Sequence, residues 1–89
     1  MPGRVGRDGS VSTRIVDSRG TRCPMPIIDL ARAAAPEPPG TVMEVWATDP
    51  AADADVRAWC RMRGHTFLAA EQLDPQARRY TLRLNAAVG

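Results

Sequence analysis

The chain lacks lysine altogether: all twelve of its basic residues are arginine, and it has one histidine and two cysteines in 89 residues. Without lysine it can form no Schiff base and has no P-loop lysine. A small secreted domain held by disulfides normally carries about four or more cysteines, so two cysteines indicate free thiols in a reducing cytoplasm. Two isolated cysteines and one histidine also do not make a zinc site.

Long apolar runs and a strong net charge are also absent. No stretch approaches the roughly 20 apolar residues of a membrane span. The net charge of +2 is too small to indicate nucleic-acid binding. The first twelve residues lack the apolar core of a signal peptide and are rich in glycine and serine. We therefore expect a flexible tail over residues 1–12, a single domain over 13–89, and a cytoplasmic location.

Hydrophobic periodicity predicts six elements in the order β-α-β-α-β-β. The strands are expected at residues 13–18, 41–48, 65–73 and 79–84. The first helix should end near Ala35, before a proline-rich turn, and the second should begin at Pro50 with Asp49 as its cap and end at Gly64. This order predicts an α/β fold: a two-layer sandwich whose mixed four-stranded sheet carries both helices on one face.

The same periodicity predicts which side chains form the core. Each helix has one apolar face, and the second strand alternates between Met43-Val45-Ala47 on one face and Val42-Glu44-Trp46 on the other. The period alone does not say which strand face is inside, so Trp46 either packs under the helices or is an exposed aromatic anchor. The apolar helix positions are Ile27, Leu30, Ala31, Ala34, Ala52, Val56, Trp59 and Cys60.

Cys23 lies just before the first helix, in the segment Cys23-Pro24-Met25-Pro26. A thiol at a helix N-terminus is exposed to the macrodipole and to free N–H groups, which favour the thiolate, and nearby arginines act in the same direction. Prolines remove two of those N–H donors, so we expect a pKa that is only modestly lowered. The helix could start at Pro24 or, because a residue before proline avoids the α region, at Pro26.

A lone cysteine is most often a small, buried hydrophobic residue. Cys23 lies in a turn beside arginines and prolines, so a reactive role is about equally well supported by the residues alone. The pattern is not Cys-x-x-Cys, which disfavours dithiol exchange. Cys60 is expected to be a core thiol rather than a resolving partner for Cys23. His65 is either a strand-entry residue or, less readily, a base or a switch.

Residues 16–26 resemble the signature of the TusA/SirA/YedF-like sulfur carriers: an aspartate (Asp17), a glycine (Gly20), then Cys-Pro-x-Pro from Cys23. The resemblance extends over about residues 13–85, and Thr21 departs from it, because the family often has leucine there. Further matching landmarks are Pro39-Gly40, Asp49-Pro50, Trp59-Cys60 and Gly64-His65.

The resemblance implies that Cys23 takes a sulfane sulfur from a donor such as a cysteine desulfurase or a rhodanese. It would hold this sulfur as a persulfide and relay it to an acceptor protein, in tRNA thiolation, molybdenum-cofactor maturation or sulfur oxidation. No metal or prosthetic cofactor is implied, and the protein would be a sulfurtransferase-type carrier rather than a stand-alone enzyme.

The resemblance also implies that Asp17, Gly20, Pro24 and Pro26 shape the loop around Cys23. Independently of the family, the charges of Arg19 and Arg22 make them the candidate docking residues for a protein partner, with a solvated surface as the equally supported alternative.

Two other functions compete with the carrier. The fold could be a regulatory or interaction module in which Cys23 is a redox sensor or is inert. Slow alkylation of Cys23, equal to that of Cys60, would favour that module. A nucleic-acid-binding domain is disfavoured by the low net charge and by the lack of a stacking aromatic pair. A carrier needs an accessible cysteine, so we expect a monomer.

Overall fold

Six elements follow one another in the predicted order through residues 13–86, the part of the chain that the computed structural model describes. The predicted tail at residues 1–12 lies outside these residues, as do 87–89. No helix between residues 13 and 86 has the length and apolar character needed to cross a membrane. The elements are β1 (Thr13–Asp17), α1 (Met25–Ala34), β2 (Val42–Ala47), α2 (Ala52–Arg63), β3 (Thr66–Asp74) and β4 (Ala77–Arg83).

The four strands form one mixed sheet in the order β1-β2-β4-β3. β1 and β2 are parallel and are joined through α1, while β4 lies antiparallel between β2 and β3. Both helices contact one another and pack on the same face of the sheet. The predicted two-layer α/β sandwich is therefore confirmed.

The core lies between that sheet face and the helices. Met43, Val45 and Ala47 of β2 are buried there, which answers the question that the strand period left open. Trp46 therefore lies on the opposite face of the sheet, where it is half-buried. The helices contribute Leu30, Ala52, Val56, Trp59 and Cys60, and β4 contributes Tyr80 and Leu82.

The helix starts differ from the predicted ones. α1 begins at Met25, with Pro24 just before it and Pro26 in its first turn, so neither predicted start is correct. Met25 is helical although a proline follows it; that proline, Pro26, is fully buried in the core. α2 begins at Ala52 instead of Pro50, because Asp49 and the next two residues form a separate hydrogen-bonded turn.

The end of α2 matches the prediction. Gly64 adopts a left-handed conformation with φ 77°, which a residue with a side chain rarely adopts. Its N–H and that of His65 both donate to the carbonyl of Cys60. This cap turns the chain sharply into β3.

Candidate functional site

The loop between β1 and α1, residues 18–24, places Cys23 at the edge of the sandwich. Each of three loop residues donates its backbone N–H to β2 or to the segment that follows it. Of the three acceptors, Asp49 is the one that bonds to Cys23 itself. The three bonds are Ser18 N to Trp46 O (2.8 Å), Gly20 N to Thr48 Oγ1 (2.9 Å) and Cys23 N to Asp49 Oδ2 (3.0 Å).

A buried serine fixes the loop to the helix that follows it. Ser18 is only 1% exposed, and its hydroxyl donates to Oδ2 of Asp29 in α1 at 2.8 Å. A buried hydroxyl costs free energy unless it is paired, so this bond favours one arrangement of loop and helix. The loop that carries Cys23 is therefore held both to β2 and to α1.

The first turn of α1 offers no free N–H group to the sulfur. Pro24 and Pro26 have no N–H at all. The Met25 N–H donates to the carbonyl of Arg22 at 2.8 Å, and the Ile27 N–H donates to that of Pro24 at 3.0 Å. The donors that usually stabilise an anion at a helix N-terminus are therefore either missing or already used.

Two carboxylates lie near the Cys23 thiol: Asp49, just before α2, and Asp55, in its first turn. Partial burial first, and then the Asp55 carboxylate and the negative charge of Asp49, raise the pKa of Cys23 to about 11. All of these effects disfavour the thiolate. The predicted lowering of this pKa is wrong, because the sequence showed the neighbouring arginines but neither the burial of the thiol nor the carboxylates that the fold brings close.

Neither arginine beside Cys23 compensates for those carboxylates. The Arg19 guanidinium donates two hydrogen bonds to the Asp17 carboxylate, of 2.8 and 2.7 Å, and it lies 5.1 Å from the centre of the Trp46 ring. Arg22 is exposed and lies close enough to Asp49 to help lower the pKa of that carboxyl, after the N–H groups of Ala51 and Cys23. The charges of both arginines are thus directed at carboxylates rather than at the sulfur.

Of the four residues predicted to shape the loop, Gly20 and Pro24 lie in it, while Asp17 ends β1 and Pro26 lies in the first turn of α1. Oδ1 of Asp17 accepts the Arg19 N–H at 3.2 Å, as in an Asx turn. Gly20 follows with φ 83°, a conformation that favours glycine. Pro24 is exposed beside the thiol, whereas Pro26 is buried.

Cys60 and His65 lie away from Cys23. Cys60 is 2% exposed in the core, and burial raises its pKa to about 11. The His65 ring lies 5.0 Å from that of Trp59, and its Nδ1 accepts the Asn85 N–H at 3.0 Å. His65 lines a cleft at the C-terminal ends of the two helices, whereas Cys23 lies at the N-terminal end of α1.

Asp55 and the contact of Asp49 with Cys23 escaped the sequence analysis. The first turn of α2 carries Asp53 and Asp55, and acidic residues there suit the positive end of the helix dipole whether or not they approach another helix. The approach of Asp49 and Asp55 to Cys23 depends on how the two helices sit on the sheet. Within residues 13–86, the fold assembles no group of three or more His, Cys, Asp or Glu side chains able to hold a metal ion.

The sequence of these residues matches a known protein family. The family model described as Sulfurtransferase TusA matches residues 14–84, from β1 to the end of β4. The chain belongs to the TusA family. In this TusA-family chain, the matched region contains Cys23 and both carboxylates that approach it.

Relatives and a solved structure agree with that assignment. The chain is 38% identical over 64 residues to Putative sulfur carrier protein NMA0882 of Neisseria meningitidis serogroup A, covering 72% of this chain and 86% of that protein. It is 37% identical over 60 residues to Putative sulfur carrier protein YrkF of Bacillus subtilis, covering 67% of this chain and only 32% of that longer protein.

The fold has a counterpart among solved structures. The crystal structure of the SirA-like protein from Desulfitobacterium hafniense superposes with a TM-score of 0.70. The match covers 81% of this chain and 97% of the other, at 19% sequence identity. This likeness supports the sandwich architecture of the TusA-family chain.

Proposed function

We propose that this protein is a sulfur carrier that accepts a sulfane sulfur as a persulfide on Cys23 and relays it to an acceptor protein. The observation that carries the proposal is the placement of Cys23. It is a half-buried thiol at the end of an anchored loop, inside the Cys-Pro-x-Pro segment of a TusA-family chain. Similarity to proteins named as sulfur carriers supports the same role.

The proposed chemistry balances without an oxidant or a reductant. Sγ of Cys23 forms a bond to the outer sulfur of a donor persulfide, R–S–SH. The donor S–S bond breaks, and its electron pair leaves with the inner sulfur, which takes up the proton lost by Cys23. The result is R–SH and Cys23–S–SH, and delivery to an acceptor thiol repeats the same exchange.

The partners are proposed from the same chemistry. A cysteine desulfurase or a rhodanese would present the donor persulfide, and a second protein would take the sulfur in a thiolation or sulfur-metabolism route. Arg22 is exposed beside Cys23 and is the better placed of the two candidate docking charges, because Arg19 is held by Asp17 and Trp46. We propose a monomer working in the cytoplasm, since the carrier thiol must stay reduced and reachable.

Intact-mass spectrometry tests the proposal directly. Wild type, Cys23→Ala and the matched control Cys60→Ala are each incubated with a cysteine desulfurase and cysteine, or with a rhodanese and thiosulfate. We expect wild type and Cys60→Ala to gain one sulfur that a reductant removes, and Cys23→Ala to gain none. Loading of Cys23→Ala, or no loading of wild type by either donor, would refute the carrier role.

A further inference from the structure

One buried residue, Ser18, is bonded to three separate parts of the chain around Cys23. Its N–H donates to the carbonyl of Trp46 in β2 at 2.8 Å, and its hydroxyl donates to Oδ2 of Asp29 in α1, also at 2.8 Å. Its carbonyl accepts both the N–H and the hydroxyl of Thr21, at 3.3 and 2.8 Å. All three polar groups of Ser18 are therefore used inside the protein.

These bonds act on both sides of the candidate nucleophile. Thr21 lies two positions before Cys23 in the loop, and Asp29 lies in α1, four positions after the helix begins at Met25. The first turn of α1 gives the sulfur no free N–H donor that could orient it. The direction in which the Cys23 side chain points therefore depends on the backbone of the loop and of the helix start, which Ser18 connects.

Ser18 is too deeply buried to act by touching a sulfur donor. It is 1% exposed, so a protein docked on the surface does not reach its side chain. A buried hydroxyl costs free energy when its acceptor is lost, so the bond to Asp29 opposes any shift of the loop away from α1. An effect of Ser18 on sulfur transfer must consequently pass through the position of Cys23.

We propose that Ser18 is a positioning residue of sulfur transfer, which orients Cys23 for attack on a donor persulfide through its bonds to Thr21 and Asp29. The proposal rests on the carrier function proposed above. In that exchange the bond from Sγ to the outer donor sulfur forms as the donor S–S bond breaks, so Sγ must approach in line with the breaking bond. A small misalignment slows such a step strongly, and a loop that is fixed before the donor arrives avoids it.

Single-turnover loading from a cysteine desulfurase persulfide, measured over a range of donor concentrations, tests this role. Ser18→Ala removes the bond to Asp29, and Thr21→Val removes the hydroxyl bond to the Ser18 carbonyl while it keeps the shape of the side chain. The limiting loading rate of each variant should fall at least about fivefold. For Ser18→Ala, the donor concentration that gives half the limiting rate should stay within about twofold of wild type, because the docking surface is unchanged.

The chain contains a matched control at the other end of the parallel strand pair from Cys23. Thr41, just before β2, donates its N–H and its hydroxyl to the carbonyl of Pro38 at 3.3 and 2.8 Å. These are the same two bonds that Thr21 makes to Ser18, and Thr41 is only 3% exposed. Thr41→Val therefore loses an equivalent bond away from the site, and its loading rate should stay within about twofold of wild type.

Replacement of Asp29 in two ways isolates the bond itself. Asp29→Ala removes the acceptor and should slow loading as much as Ser18→Ala does. Asp29→Asn keeps an acceptor oxygen and should recover most of the lost rate. The double variant Ser18→Ala/Asp29→Ala should be no slower than either single variant, because both changes remove the same bond. Should Ser18→Ala not fold, the Asp29 pair and Thr21→Val supply the test.

Alkylation of Cys23 by iodoacetamide separates a change of orientation from a change of thiol reactivity. A small reagent can approach the sulfur from any open side, whereas a persulfide held in a docked protein cannot. The alkylation rate of Cys23 in Ser18→Ala and Thr21→Val should therefore stay within about twofold of wild type while loading slows.

Three results would overturn the role of Ser18. One is loading of Ser18→Ala and Thr21→Val that is as fast as that of wild type. Another is an equal slowing in Thr41→Val, which would make the effect a general loss of stability. The third is alkylation of Cys23 that slows as much as loading does. All three presuppose a wild type that loads, whereas a wild type that does not load would refute the carrier function itself.

Discussion

The backbone N–H of Cys23 donates a hydrogen bond to Oδ2 of Asp49, 26 positions further along the chain, at 3.0 Å. This bond joins the approach to α1 with the approach to α2, so two helix starts that are distant in sequence share one anchor. Asp49 also accepts the Ala51 N–H. The carboxylate therefore orders the turn before α2 and holds the candidate carrier cysteine in place.

Asp49→Ala should lower the urea midpoint of unfolding and broaden the positions open to Cys23. The substitution removes two hydrogen bonds to backbone N–H groups at once. Asp53→Ala is the control, since it removes only partly exposed pairs with Arg57, four residues away on the same helix, and with Arg78. Urea unfolding followed by tryptophan fluorescence measures both. A midpoint for Asp49→Ala no lower than that of Asp53→Ala would contradict the anchoring role.

Alkylation of the two cysteines should depend on pH in the same way but differ in rate. With the Cys23 pKa raised to about 11, its rate with iodoacetamide should climb about tenfold per pH unit from about pH 7 to about pH 9. Cys60 is 2% exposed and should react far more slowly, because the core must open first. Mass spectrometry of Cys60→Ala and Cys23→Ala gives the separate rates. The rate should keep climbing to about pH 10, whereas an unshifted thiol, with its ordinary pKa of 9.0, would level off near that pH.

Leu30→Ala should destabilise the fold strongly, whereas Ile28→Ala should not. Leu30 is fully buried in the core and Ile28 on the same helix is 37% exposed. Burial of the leucine side chain predicts a loss of about 2–5 kcal/mol in the free energy of unfolding. The exposed substitution should cost about 0.5 kcal/mol or less. Chemical denaturation of both variants checks this, and similar losses would mean that α1 packs through a different face.

His65 should make the protein less stable as the pH falls below neutral. Partial burial and the charge of Arg63 lower its pKa from the ordinary value of 6.5. Between the two pKa values, the unfolded chain binds a proton that the folded protein does not, so stability rises with pH through this window. Protonation would also place a donor where Nδ1 now accepts the Asn85 N–H.

The measurement for His65 is the urea midpoint between about pH 7 and about pH 5, for wild type and for His65→Asn. The wild-type midpoint should fall in this range, and that of the variant should change less. Asp17 and Asp49, whose pKa values lie below 3.8, lose their charge only at more acidic pH and do not confuse the comparison. If the urea midpoints of the two proteins fall by the same amount between these pH values, His65 is not the cause of the pH dependence.

The order of the elements and most of the core could be predicted from the sequence. Proline and glycine marked the ends of the helices, and alternating residues marked the strands. The inward face of β2 could not be predicted, because Met43-Val45-Ala47 and the face with Trp46 are both partly apolar. The choice depends on which face the helices cover, and this follows from the whole topology.

The candidate nucleophile could also be predicted, but its electrostatic surroundings could not. Arg19 and Arg22 are neighbours of Cys23 in sequence, so they dominated the expectation. In the fold, Arg19 turns to Asp17 and Trp46, and the groups that face the thiol come from α2. A pKa depends on neighbours in space, and a single sequence shows neighbours along the chain.

In the first turn of α1, every N–H is missing or already bonded. This matters for oxidation of Cys23 when it carries no added sulfur. Peroxide attacks thiolates, and the sulfenic acid that forms can be oxidised further to irreversible sulfinic and sulfonic acids. A Cys23 that remains protonated resists the first of these steps. A first turn without free donors is thus expected to protect the Cys23 thiol from overoxidation, whereas a peroxide sensor requires an acidic thiol.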